Sequence, residues 1–475
     1  MQPTTLDFKS NARGALADAQ LQRALSGLKG GLVAQRAAAR ARLPEFEHLR
    51  DVGRDIRDHA LANLDLYLEE WEAKATAAGA KIHWAATAGD ARDAILGICQ
   101  GVGAKIVTKG KSMVSEEIAL NAHLESRGLE VVETDLGEYL VQIRGEVPSH
   151  IIAPAIHLTQ DQVEADFRRK HTHLPKDRVL TEAATLVGEA RQILREKFQT
   201  ADVGITGANF LIAETGSTII VTNEGNGDLT QSLAKVHIVI TSIDRVIPTL
   251  EDVSSILRLL ARSATGQEFS TYTTFSTGHR RPGDPDGPEQ CHIVVLDNGR
   301  SELLGTELQD VLRCIRCGAC MNHCPVYSAI GGHAYGWVYP GPIGSVLTPS
   351  LIGVSEAGHL PNASTFCGRC EQVCPMKIPL PKLMRHHRET EFEAGGLSWG
   401  NRTGLAIWSW VAQRPRLYHL ANRFGIAALG MSGRARGSFR RLPLAGNWTR
   451  HRDFPAPQGR TFQQLWAERQ RGVPR

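Results

Sequence analysis

Seven of the chain's nine cysteines sit in two short runs whose spacing suits iron. The first is Cys314-Ile-Arg-Cys317-Gly-Ala-Cys320-Met-Asn-His-Cys324-Pro325, and the second is Ser364-Thr-Phe-Cys367-Gly-Arg-Cys370-Glu-Gln-Val-Cys374-Pro375. Thiolate sulfur is the soft donor that iron in a cluster prefers. A C-x2-C-x2-C loop wraps three sulfurs around one cubane. A fourth cysteine, three residues on and followed by proline, turns to the other cluster. That rule gives Cys314, Cys317, Cys320 and Cys374 to one cluster, and Cys324, Cys367 and Cys370 to a second. Both are expected to be [4Fe-4S]. Ser364 stands where the second frame's first cysteine would be. The fourth iron there is left to the Ser364 oxygen, another non-cysteine donor or solvent, or the cluster holds three irons. Zinc needs four ligands per site, and seven cysteines in two proline-terminated frames fit that poorly. Gly318 lets the first loop turn close to inorganic sulfide. Cys99, in an apolar helical run, and Cys291, beside a strand, read as ordinary buried cysteines.

Four further residues are candidates for catalysis or binding. Lys109-Gly-Lys111-Ser112 has the look of a phosphate loop, but the earlier glycine it would need is Lys105. Lys109 and Lys111 can still meet an anion at a strand–turn–helix junction, or can be solvated lysines. Glu214 and Glu224 lie at glycine-flanked ends of β-rich runs, where ligands of α/β sheets gather. They suit general acid–base work, and equally a plain turn. No G-x-G-x-x-G follows a strand, so neither a flavin nor a nicotinamide site is expected.

Positioning such residues takes more than one core, since 475 residues exceed what a single core usually serves. Residues 1–76 read as helix, rich in Ala, Leu, Arg and Glu and punctuated at Pro44. Residues 77–298 alternate strands with helices, the pattern of an α/β domain on a largely parallel sheet. Residues 303–390 hold both cysteine motifs. The Gly/Pro-rich stretch of 42 residues between the motifs (325–366) suits an all-α dicluster ferredoxin-type domain. Residues 391–475 are basic and contain five of the eight tryptophans. From 401 onward, 14 Lys/Arg face two acids, Asp453 and Glu468. Such a region can contact an acidic partner or an anionic surface, or be a solvated packing subdomain. Nucleic acid is not expected. No run of 18 apolar residues suggests a transmembrane segment, and MQPTTLDFKSNARGALADAQ lacks the apolar core of a secretory signal. Clustered thiols in a long chain point to a reducing cytoplasm.

The runs AKIVTKGKSMVSEEIALN, EVVETDLGEYLVQI, PSHIIAPAIH, GITGANFLIAETGS and VTNEGN, followed by the two cysteine motifs, resemble the lactate utilisation protein B family over roughly residues 15–470. The resemblance implies a lactate-utilisation domain with an isomerase/CoA-transferase-like α/β fold, a dicluster ferredoxin domain and a family-specific C-terminal region. It implies cluster ligands at Cys314, Cys317, Cys320, Cys324, Cys367, Cys370 and Cys374, and a serine in the second motif. It also implies companion proteins A and C and the oxidation of L-lactate to pyruvate. The expected role is an electron-transfer component of that oxidoreductase complex. A substrate-binding subunit acting through the α/β domain and a redox-sensing regulator are the alternatives.

Overall fold

The computed structural model describes residues 3–396, 398–433, 435–442, 446–449 and 452–472; the side chains of Lys29, Asn447 and Trp448 lie outside that description. The chain divides into two compact units, Met1–Ala394 and Gly395–Arg475, each taken by itself below.

The first unit is built on ten strands: β1 (Ala80–Ala85), β2 (Ile106–Lys109), β3 (Glu130–Glu133), β4 (Val203–Gly207), β5 (Phe210–Ile212), β6 (Ser217–Thr222), β7 (Val236–Ser242), β8 (Val246–Ile247), β9 (Tyr272–Ser276) and β10 (Gln290–Leu296). Six form a sheet in the order β1-β10-β7-β4-β2-β3, with every neighbouring pair parallel. The β7 run VHIVITS is buried at every position, as a central parallel strand covered on both faces must be. On one face helix Ala88–Gly101 sets Ile95 and Cys99 against Val107, Ile205 and Ile238. On the other, helix Leu64–Ala77 sets Trp71 against Val239 and Val295. A side chain as fully enclosed as Ile95 contributes about 1.5–3 kcal/mol over its exposed state. Cys99 and Cys291 belong to these cores, and burial pushes both thiols up to about 12.

The runs around GITGANFLIAETGSTIIVT do not all join the parallel sheet. β5 and β6 pair antiparallel and join β8 and β9 in a four-stranded sheet of order β8-β5-β6-β9. Only Ala213–Gly216 separates β5 from β6, which permits a hairpin but no parallel crossover. Gly216 closes that turn at φ +71°, and a Cβ there would lie 2.4 Å from the backbone nitrogen of Ala75.

The cysteine region is helical, made of short helices and 3-10 turns around the longer Gly341–Ile352 and Leu380–Glu393. Its apolar core continues into the N-terminal helices, so Leu25, Phe46 and Leu49 belong to one cluster with Tyr327, Tyr339 and Met376. The second unit carries helices Trp399–Ala412, Pro415–Gly433 and Phe462–Arg471, with a short antiparallel pair, Ser438–Phe439 against Phe454–Pro455. Trp399, Trp408, Trp410 and Trp466 are exposed there. Among the described residues, no helix is long and apolar enough to cross a membrane.

Candidate metal centre

The two cysteine loops share one backbone trace. Each follows a 3-10 turn (Gln309–Arg313 and Leu360–Ala363) and runs into a short helix (Ala319–Asn322 and Arg369–Val373). In each, two residues take positive φ: Arg316 and Gly318 at +58° and +71° in the first, Phe366 and Gly368 at +52° and +74° in the second. These left-handed residues curl the loop so that successive cysteines face one centre, and they are costly for the non-glycine Arg316 and Phe366. The Arg316 N–H donates to Cys314 Sγ at 3.4 Å, and the Phe366 N–H donates to Ser364 Oγ at 3.1 Å. Serine therefore occupies the place and the local bond of the missing cysteine.

Two hollows result. Cys314, Cys317, Cys320 and Cys374 line one, together with Ile315, Met376 and Ile378. Cys324, Cys367, Cys370 and Ser364 line the other. Each hollow thus takes one cysteine from the other motif's proline-terminated end. Within the first motif, Cys320 lies in the short helix Ala319–Asn322 and Cys324 two residues past its end, so the hollows adjoin. Burial pushes the Cys317 thiol up to about 12 and Cys374 up to about 11. Cys367, exposed and accepting the Arg369 backbone N–H, is lowered instead. Buried sulfurs of this kind lose their protons to a metal, whose binding is coupled to that release. Sulfur-rich, largely apolar hollows fit iron–sulfur clusters.

Arginines from the N-terminal helices reach these loops, a feature the helical reading of residues 1–76 did not anticipate. Arg36 Nη2 donates to the Val373 carbonyl at 2.7 Å, and Arg50 donates twice to the Cys374 carbonyl, at 3.1 and 2.8 Å. Arg57 donates to the carbonyls of Val246 and Leu312, and Arg245 to that of Cys314. Arg50 and Arg57 are seven apart in helix Phe46–Ala62, hence on one face; that spacing was the available signal. On the opposite side, His150 pins the first loop to the α/β part. Its Nδ1 accepts the N–H groups of Ile152 and Ala153, leaving Nε2–H to donate to Asn322 Oδ1 at 2.9 Å. Burial holds His150 neutral, with its pKa lowered to about 4. A Cβ on Gly318 would come within 3.0 Å of that ring, so glycine is required here for close approach as well as for φ.

A buried ionic network lies behind the same loop. Glu117 pairs with both terminal nitrogens of Arg300 at 3.0 and 2.6 Å and accepts the Tyr339 hydroxyl at 2.6 Å. Arg300 Nε lies 3.3 Å from Asp244, which pairs with Arg245 at 3.2 Å. Arg316 stacks over the Tyr339 ring at 4.3 Å. Burial alone would raise the Glu117 carboxyl, but Arg300 holds it below its ordinary value.

The four α/β candidates separate. Lys111 and Glu224 line a pocket at the carboxyl edge of the parallel sheet; Lys109 and Glu214 do not. Lys109 is fully buried, its ammonium 2.9 Å from Glu116 and 2.7 Å from Glu133. Those carboxylates outweigh desolvation and raise its pKa. Glu214 instead accepts the Leu250 N–H at 2.8 Å, at the start of helix Leu250–Ala264.

An α/β domain on a six-stranded parallel sheet, joined to a helical region with two sulfur-lined hollows, defines an iron–sulfur protein of the dicluster type. Family models match three segments: the LUD domain residues 68–296, the 4Fe-4S dicluster domain 310–378, and the lactate utilisation protein B C-terminal region 388–471. The chain is 42% identical over 473 residues to lactate utilization protein B of Geobacillus sp. (strain WCH70), covering 98% of each chain. It is 40% identical over 469 residues to the lactate utilization protein B of Bacillus subtilis (strain 168), covering 98% of this chain and 96% of that one. Over 471 residues it is 40% identical to the electron transport protein YkgF of Escherichia coli (strain K12), covering 99% and 98%. The chain belongs to the lactate utilization protein B family, and its cofactors are two 4Fe-4S-type clusters.

Proposed function

We propose that this chain is the electron-transfer subunit of L-lactate oxidation to pyruvate, acting in the cytoplasm with companion proteins A and C. Its family and the interleaving of cysteines between two adjoining hollows support the reading. In this reading Cys314, Cys317, Cys320 and Cys374 hold one cluster, while Cys324, Cys367 and Cys370 hold the other with Ser364 as the candidate fourth donor. When bound, the clusters supply one-electron redox chemistry. Lactate oxidation yields two electrons, so two one-electron sites match its stoichiometry.

The chain's own residues set the conditions. Arg36, Arg50 and Arg245 tie loop carbonyls to rigid elements and place positive charge beside the first hollow. Apolar neighbours such as Met376 and Ile378 keep water from that sulfur set. The four-residue step from Cys320 to Cys324 gives a short path between the two sets.

Anaerobic purification with iron and sulfide counts, followed by EPR of the reduced protein, tests the first half. About eight irons for two cubanes, or about seven with one three-iron cluster, is the expected result. Colourless protein, or a single cubane signal with about four irons, overturns it. The second half needs L-lactate with proteins A and C. Cluster bleaching that requires the companions supports the relay, and bleaching by lactate and this chain alone makes it the oxidising subunit instead.

A further inference from the structure

The carboxyl edge of the parallel sheet holds a pocket of about 340 Å³ that the relay does not use. That volume lies at the small end of the range for small-molecule sites, roughly 300–1,000 Å³. Its place in the fold is informative. From β2 the chain moves outward to β3, whereas from β4 it moves the other way to β7 and β10. The crevice therefore opens at the switch between β2 and β4, with Gly110–Ser112 on one side and Gly207–Asn209 on the other. Open α/β sheets bind their ligands at such a point.

Three residues, Ile151, Ile315 and Arg316, line both this pocket and the hollow formed by Cys314, Cys317, Cys320 and Cys374. One layer of side chains separates the two spaces. Arg316 is the charged member of that wall, and its Nε and Nη1 are buried with no hydrogen-bond partner among the described residues. Unsatisfied buried guanidinium nitrogens are costly unless something accepts from them. Lys111, across the pocket, bonds only the neutral Ile152 carbonyl, at 2.5 Å. Neither cation has a carboxylate oxygen within 4 Å among the described residues, unlike Arg245, which is paired with Asp244.

The charge balance narrows the ligand. With Arg245 neutralised by Asp244, Lys111 and Arg316 face Asp135 and Glu224 around the pocket, two positive groups against two negative. Without a surplus of positive charge, the pocket suits a monoanion better than a dianion such as phosphate. Leu32, Ile220 and Leu260 make much of the remaining wall apolar, which suits a short carbon body.

We propose that the pocket binds a small organic monocarboxylate against Arg316 and Lys111, and that its occupancy is coupled to the charge on the cluster behind the wall. An anion held there opposes adding an electron to that cluster, so binding lowers the cluster's reduction potential. By linkage, reduction weakens the anion's binding by the same factor. No bond is made or broken in this step. The inference goes beyond the relay role and does not depend on which compound donates the electrons.

The test uses the full-length, cluster-loaded protein under anaerobic conditions. Calorimetric titration with pyruvate, L-lactate and inorganic phosphate should show saturable one-to-one binding of a carboxylate and weaker or no binding of phosphate. Lys111→Met and Arg316→Gln should each weaken it roughly tenfold or more, with iron content unchanged for Lys111→Met, which lies outside the cluster loop. A redox titration followed by EPR should show one cluster's midpoint falling when the carboxylate saturates. The proposal is overturned if no carboxylate binds, if Lys111→Met leaves affinity intact, or if phosphate binds tighter. A midpoint that does not move removes the coupling. Protein that holds both clusters and takes electrons from its companions, yet binds no carboxylate, loses this inference and leaves the relay standing.

Discussion

Ser364 shows how far a single position can be argued. Its oxygen accepts the Phe366 N–H as Cys314 sulfur accepts the Arg316 N–H, and the two loops match in their positive-φ residues. A cysteine at 364 therefore needs no new backbone. The Ser364→Cys protein should hold its second cluster more tightly, keeping iron through air exposure and losing any three-iron EPR signal. Unchanged iron loss would show that position 364 does not face the metal. The motifs were legible because ligand chemistry fixes both residue type and spacing. Lys109 was not, because its partners Glu116 and Glu133 come from a later helix and the next strand. A lysine after a short β run looks the same whether it meets a ligand or a buried carboxylate.

At the level of elements, the N-terminal helices carry more than sequence suggested. Arginine in a highly charged helix reads as a solvated face, and beyond its seven-residue spacing from Arg57 nothing local reveals that Arg50 turns inward to the Cys374 carbonyl. Arg50→Leu should destabilise the protein by about 1.5–3 kcal/mol, the worth of hydrogen bonds from a charged donor, and make the neighbouring cluster harder to reduce. Urea unfolding and a redox titration would check the two effects. The parallel sheet was legible from its β-branched runs, but the β5–β6 hairpin was not separated from it, since type and burial are alike on both sides of the turn. Strand β7 carries its own prediction. His237 is buried beside Thr206, its pKa lowered from 6.5 to about 4 by desolvation. The unfolded chain takes up a proton near pH 6.5 and the folded one only near pH 4. Stability is therefore full above about 6.5 and falls as pH drops towards 4. Anaerobic urea midpoints at pH 7.5 and 5 should differ less for His237→Gln than for the parent; equal differences would rule out this histidine as a contributor.

Over the whole molecule, all seven motif cysteines, and the arginines Arg36, Arg50 and Arg245 that bond their loop carbonyls, lie within the unit Met1–Ala394. A chain ending at Ala394 should then keep the full chain's iron-to-protein ratio and EPR signals. Failure of that truncated chain to load iron would mean the basic C-terminal unit supports the clusters, a role no local feature of its sequence announced. The exchange of end cysteines between motifs, Cys374 into the first hollow and Cys324 into the second, also has a bearing on biosynthesis. The second metal set has all its protein donors only once translation has passed Cys370, and the first only at Cys374, so an early-arriving cofactor would meet an incomplete nest. Delivery of iron and sulfide must wait for the nascent polypeptide to come together, and a truncation ahead of Cys367 leaves both prosthetic groups short of donors at once.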